Sequence, residues 1–163
     1  MNTWGFTQHQ RAVFSPDRRY RYVLRRAVGL GSSSCLFICL NPSTADETVD
    51  DPTVRRCVGF ATRWGFGALV VCNLFAYRAT SPTDMKAQDD PVGPDNDRVL
   101  IAEARGAHRV VLAWGNDGAF RDRSSRVLDM LGSLHVFHLG LTKAGEPKHP
   151  LYLASITAPV PYG

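Results

Sequence analysis

The sequence predicts an α/β fold: a three-layer sandwich with a central four-stranded parallel sheet, preceded by an N-terminal β-hairpin. Short continuous apolar runs, typical of strands buried on both faces, alternate with segments whose apolar residues recur at helical spacing. A turn-forming segment near the N-terminus separates two further strand-like runs. The 163 residues have the usual size of one domain. We therefore expect a single domain, with hairpin and connector at 1–34 and the core at 35–163.

The hairpin prediction rests on Ser-Pro-Asp-Arg at 15–18. Proline fixes one backbone angle and aspartate bonds its own backbone, so this segment favours a turn. It separates residues 12–14 from residues 20–26, where arginines alternate with aromatic and apolar residues. One face of the hairpin should pack while the other stays basic and solvated. A connector rich in glycine and serine follows at 29–34.

Two apolar runs, at 35–40 and 68–72, predict the first two buried strands. The helix between them should begin at Pro52, because proline suits the first helical position. Either Asp50 or Asp51 can cap it.

The second half of the chain repeats this alternation. Helices between short apolar strands imply right-handed crossovers and a parallel sheet. The remaining predicted elements are a short helix opened by Ser81, a helix from Pro94 to Gly106, a third strand at 109–113, a helix at 126–131 and a fourth strand at 134–139.

Composition excludes several protein classes. With 44% hydrophobic and 21% charged residues, the chain is neither disordered, collagen-like nor a coiled coil. The net charge of +4 permits contact with phosphates without requiring it. No apolar run approaches the roughly 20 residues that span a bilayer, so we expect a cytoplasmic protein with no membrane contact. The four cysteines lack CxxC spacing and are interpreted as buried reduced thiols, with no metal and no cofactor.

Polar or aromatic residues follow each predicted strand, and parallel strands place their carboxyl ends at one edge of the sheet, where open α/β proteins bind ligands. Each signal has a structural alternative: Asn-Pro-Ser at 41–43 favours a turn, Asn73 can bond nearby backbone, His149 can be a surface residue and Trp114 can pack in the core. The four strand ends carry Asn-Pro-Ser-Thr at 41–44, Asn-Leu-Phe at 73–75, Trp-Gly-Asn at 114–116 and His-Pro-Leu at 149–151.

In this arrangement the chain, from about residue 35 to residue 153, resembles the uracil-DNA glycosylase superfamily. The segments that carry the resemblance are Leu-Asn-Pro-Ser at 40–43, Val-Cys-Asn-Leu at 71–74, Leu-Ala-Trp-Gly at 112–115 and His-Pro-Leu-Tyr-Leu at 149–153. A closer resemblance, over nearly the whole chain, is to the bacterial domain-of-unknown-function family 1643. Its shared segments are Asn-Pro-Ser-Thr-Ala-Asp at 41–46, Asp-Pro-Thr at 51–53 and His-Pro-Leu-Tyr at 149–152.

The glycosylase resemblance implies cleavage of a base–sugar bond with Asn41 and His149 as catalytic residues. His149 can donate to a base carbonyl that gains negative charge, and Asn41 can position water. A neutral amide cannot deprotonate that water, and the candidate carboxylates nearby are Asp46, Asp50 and Asp51, although the last two can instead cap the helix. The residues expected to bind the base are Asn73, Phe75, Trp114, Pro42 and Ser43.

Contact with DNA requires phosphate binders and a side chain that holds the stack open. The candidates are Lys143, Lys148, Leu151 and Leu153, and the two leucines can alternatively anchor the C-terminal segment in the core. The sequence thus predicts a glycosylase-like enzyme acting on a damaged, mismatched or modified base. Two alternatives remain: a hydrolase or binding protein for a nucleotide or modified nucleoside, and a non-catalytic nucleic-acid-binding module. The expected partner is nucleic acid, DNA in the first instance, or a nucleotide.

Overall fold

One mixed β-sheet of seven strands organises the computed structural model, which describes residues 11–163. The strands are β1 (Ala12–Phe14), β2 (Arg21–Ala27), β3 (Ser34–Cys39), β4 (Ala68–Asn73), β5 (Arg109–Leu112), β6 (Phe137–His138) and β7 (Val160–Pro161). The described residues also form four α-helices: α1 (Pro52–Arg63), α2 (Pro82–Lys86), α3 (Asn96–Gly106) and α4 (Arg123–Leu131). In this part of the chain no helix is long and apolar enough to cross a membrane.

The strand order is β1-β2-β4-β3-β5-β6-β7. Strands β3 to β6 run parallel to their neighbours within this group. The predicted hairpin of β1 and β2 is present and extends the sheet, because β2 pairs antiparallel with β4 from Leu24 opposite Val71 to Ala27 opposite Ala68. At the other edge β7 pairs antiparallel with β6. The fold is therefore α/β, and its sheet is larger and more mixed than the four parallel strands predicted.

Helices cover both faces of the sheet, and each face has its own buried core. Alternate residues of β3 divide between them: Leu36 and Ile38 pack with residues of α3 and α4, whereas Phe37 packs with residues of α1. On the α1 side, the Phe37 ring lies 6.2 Å from Phe60. This arrangement leaves the ends of the parallel strands and their following segments as the place where a site can form.

Element boundaries differ from the prediction where distant contacts decide them. Helix α4 begins at Arg123 rather than at residue 126, because the Arg123 side chain is buried, donates to Leu74 O at 2.8 Å and pairs with Asp97 at 2.6 Å. The predicted fourth strand at 134–139 is reduced to the two residues of β6. Strand β7 was not predicted.

All four cysteines are free and buried. Burial raises the pKa of the Cys35 thiol to about 12 and the pKa values of the Cys57 and Cys72 thiols well above their ordinary range. Thiols held in the neutral form inside a core are poor nucleophiles and poor metal ligands. They pack in the cores on the two faces of the sheet, which confirms the prediction that they are buried thiols.

Candidate functional site

A cleft of about 670 Å³ lies where the segments after β3, β5 and β6 meet. Asn41 and Ser43 line it from the first of these segments, Trp114 from the second, and Lys148 and His149 from the third. The size is typical of a small-molecule site. Two motifs more than 100 residues apart in sequence are thus brought into one cleft.

Asn41 is held by its amide nitrogen. Nδ2 lies 2.9 Å from Ala79 O and 3.1 Å from Pro42 O. Carbonyl oxygens only accept hydrogen bonds, so this end of the side chain must be the NH₂ group. Among the described residues nothing donates to Oδ1 of Asn41, which is left as an acceptor in a residue that lines the cleft. An aspartate here would set an oxygen against two carbonyl oxygens, which accounts for the amide.

Two arginines of the hairpin hold the segment that follows Asn41. Arg21 is buried and donates to Ala45 O at 3.2 Å. Arg26 donates to Asp46 O at 2.6 Å and pairs through Nε with Asp50 at 2.7 Å. The two backbone carbonyls, of Ala45 and Asp46, lie outside the helices and strands and are satisfied by these arginines instead. The hairpin therefore fixes the cleft loop as well as extending the sheet.

The Asp51 carboxylate has a structural task and also lines the cleft. Its Oδ1 accepts from Val54 N at 2.8 Å, which caps α1, and its Oδ2 accepts from Ala45 N at 3.4 Å. Only 5% of the residue is exposed. Asp46 and Asp50, the other two candidate carboxylates, do not line the cleft. Asp51 thus places one buried negative charge beside the cleft while ordering both the loop and the helix.

His149 is oriented by the backbone two residues later. Leu151 N donates to His149 Nδ1 at 3.2 Å. A backbone N–H can only donate, so Nδ1 carries no proton and the neutral ring must carry it on Nε2. Burial lowers the pKa of His149 below 6.5, and the negative charge of Asp51 opposes part of that shift. At neutral pH the ring is uncharged and offers an Nε2–H donor.

Trp114 forms part of the support of the cleft. It is 1% exposed, and its Nε1 donates to Glu146 at 2.6 Å. The second oxygen of Glu146 accepts from Ser124 Oγ at 2.9 Å. Gly115 N donates to Pro147 O at 2.8 Å. The loop that carries His149 is therefore held both by the segment after β5 and by α4.

Three of the residues expected to bind a base lie away from the cleft. Asn73 is 1% exposed, and its backbone oxygen accepts from Asn96 Nδ2 at 2.9 Å. Phe75 is fully buried, with its ring 5.8 Å from that of Phe120. Pro42 is buried and does not line the cleft, although Asn41 and Ser43 on either side of it do. Asn73 and Phe75 are buried beside the end of β3, since Leu74 N and Phe75 N continue the pairing by donating to Cys39 O and Leu40 O.

Three of the four residues expected to contact DNA line the cleft. Lys148, Leu151 and Leu153 line the cleft, whereas Lys143 does not. Leu153 is half-buried and packs against the core on the α1 side. Its neighbour Tyr152 also lines the cleft and is 85% exposed. Of the leucine and aromatic side chains that line the cleft among residues 11–163, Tyr152 is therefore the exposed one.

Sequence reasoning missed several polar residues of the cleft. They are Thr53, Thr80, Asn116, Asp117 and Thr142. Asn116 belongs to the strand-end segment 114–116 but was not predicted as a site residue, and Asp117 follows it directly, so the strand-end rule could have selected both. Asp117 pairs with Lys86 at 2.7 Å. Within residues 11–163, no group of three or more histidine, cysteine, aspartate or glutamate side chains is arranged to hold a metal ion.

Residues 21–151 match the model of a family described as "Protein of unknown function (DUF1643)". The matched span contains the β2 arginines, the loop after β3, α1 and the His149 segment. Searches among curated proteins and among solved structures found no match.

Proposed function

We propose that this chain, which belongs to the DUF1643 family, hydrolyses the N-glycosidic bond of a damaged, mismatched or modified base in DNA. The family description names no activity, so the proposal rests on the residues of the cleft. The observation that carries the proposal is that two complementary groups line one cleft. His149 is neutral with its proton on Nε2, and Asn41 Oδ1 accepts from no described residue. One group donates and the other accepts, within the same cleft.

Cleavage of this bond leaves negative charge on the departing base and positive charge on the sugar. His149 Nε2–H donates to a carbonyl oxygen of the base as that oxygen gains charge, and the ring need not ionise to do so. Because His149 is half-buried, such a donor acts with little competition from solvent. The electron pair of the C–N bond moves onto the base.

Water supplies the new bond to the sugar. Asn41 Oδ1 accepts from a water molecule and orients it toward the anomeric carbon, while the Asp51 carboxylate stabilises the developing positive charge. Each Asp51 oxygen receives one backbone N–H and keeps a lone pair. As the water adds, its proton leaves toward Asp51 or solvent and finally reaches the departed base.

A second candidate is hydrolysis of a free nucleotide or modified nucleoside by the same chemistry. The packing of Leu153 against the core favours it, because that leucine then cannot also hold open a base stack. DNA contact predicts affinity that falls steeply with salt, whereas a nucleoside predicts little dependence.

Duplexes carrying uracil, a thymine mismatch, hypoxanthine or a hypermodified base test the proposal through abasic-site formation. His149→Ala should slow cleavage roughly 100- to 1000-fold, the effect of removing one such donor, and Asn41→Ala should slow it as well. His108→Ala is the matched control, because His108 Nδ1 also accepts a backbone N–H, from Ser34 at 3.1 Å, and does not line the cleft. Equal rates in the wild type, His149→Ala and His108→Ala would refute the assignment.

A further inference from the structure

A second group of polar side chains lines the cleft on the segments after β5 and β6. It consists of Asn116, Thr142 and Lys148. None of the three takes part in the hydrolysis described above. Their hydrogen bonds define which atoms they present to a ligand.

The direction of the Asn116 amide follows from its neighbour. Glu146 N donates to Thr142 Oγ1 at 3.2 Å, so the hydroxyl proton is free to point elsewhere. The distance from Thr142 Oγ1 to the Asn116 side chain is 2.6 Å. That length is ordinary for O–H···O and short for N–H···O, so Asn116 faces the hydroxyl with Oδ1. Its Nδ2 then carries two hydrogens that no described residue accepts.

Lys148 adds a cation on the loop after β6, which also carries Thr142. Its backbone N donates to Gly140 O at 2.9 Å, and its side chain lies along that glycine. Gly140 leaves room for this side chain, because a Cβ at that position would be 3.3 Å from Lys148 Cδ and 3.8 Å from Nζ. The φ of +119° at Gly140 also favours glycine. Lys148 forms no salt bridge with residues 11–163. Among the described residues, the Lys148 ammonium is therefore an unneutralised charge, on the same loop as the Thr142 hydroxyl that orients Asn116.

We propose that Asn116 and Lys148 form the phosphate subsite of the cleft. Both present donors only, and a phosphate group presents only acceptors, whereas a base edge presents both kinds. The nearest acidic side chain in sequence, Asp117, is paired with Lys86. This inference rests on the proposed function: the phosphate is that of the nucleotide whose base occupies the cleft, either free or within a DNA strand.

Calorimetric titration of 2′-deoxynucleosides, their 5′-monophosphates and short single-stranded oligodeoxynucleotides tests the subsite. The wild type should prefer a phosphorylated ligand to its nucleoside roughly tenfold or more, the usual effect of a hydrogen bond to a charged group. Asn116→Asp keeps the oxygen that faces Thr142 and turns the donor into an anion, so it should abolish the preference. Lys148→Gln should reduce it roughly tenfold. Ser133→Asp, an equal charge change at an exposed residue outside the cleft, should leave it intact.

The ligand that binds more tightly, mononucleotide or oligonucleotide, identifies the source of the phosphate. Absence of any preference in the wild type, including no binding of either class, would overturn the subsite, as would a preference that survives both Asn116→Asp and Lys148→Gln. Release of free base by the wild type is measured in a separate assay. Loss of the preference in these variants, without base release by the wild type, would support the subsite and reject the hydrolysis. Base release by the wild type without any phosphate preference would support the hydrolysis and reject the subsite.

Discussion

Replacing Asp51 with alanine removes two hydrogen bonds from one buried side chain. The cap of α1, at 2.8 Å to Val54 N, is worth about 1 kcal/mol. The second bond, to Ala45 N, is long at 3.4 Å, but Ala45 is fully buried and its N–H has no other partner among residues 11–163, so its loss costs about 1 kcal/mol or more. We expect Asp51→Ala to lower the free energy of unfolding by about 2–3 kcal/mol in total.

Urea denaturation followed by circular dichroism measures this loss, and Tm should fall by roughly 5–10 °C in a chain of this size. Ser81→Ala is the matched control. Ser81 caps α2 through a single bond to Asp84 N at 3.2 Å, so its loss should cost about 1 kcal/mol or less. If Asp51→Ala cost no more than Ser81→Ala, Asp51 would not order the cleft loop and the helix together.

Two further predictions concern His149 and the packing around Trp114. The His149 pKa should lie below 6.5 in an NMR titration, and Asp51→Asn should lower it further because the carboxylate partly offsets the effect of burial; a pKa that rises in that variant would contradict the geometry. Since the native state binds this proton less tightly than the unfolded chain, the stability that His149 contributes should be present above pH 6.5 and be lost as pH falls through the lowered pKa. Gly118→Ala should destabilise the fold by about 1–3 kcal/mol, because its Cβ would overlap Trp114 Cδ1. Gly59→Ala, in α1 with nothing within 4 Å, should instead stabilise it by about 0.5–1 kcal/mol, and equal effects at the two glycines would refute the packing argument.

Local signals predicted the elements whose ends are set by their own residues. Pro52 and the aspartates before it located the start of α1, and the structure selects Asp51 as the cap. Continuous apolar runs located β3 and β4 to within a residue. These features depend on propensity and capping, which are properties of short segments.

Contacts between distant segments decided the rest. Asn73 and Phe75 are buried and do not line the cleft, and no local signal distinguishes them from the strand-end residues that do. Strand β7 forms only because β6 offers it an edge. In the same way, the orientation of Asn116 depends on Thr142, 26 residues later. Sequence therefore located the region of the cleft, whereas side-chain direction required the structure.

The most direct test of the proposed hydrolysis does not require the base to be known. Genomic DNA and a nucleotide pool would each be incubated with the wild type and with Asn41→Ala/His149→Ala, and mass spectrometry would quantify every free base released. We predict release of one base or a small set of related bases by the wild type, with an equal amount of base-free sugar product, and none above background by the double variant. No base released from either pool by the wild type, or equal release by the double variant, would contradict the account.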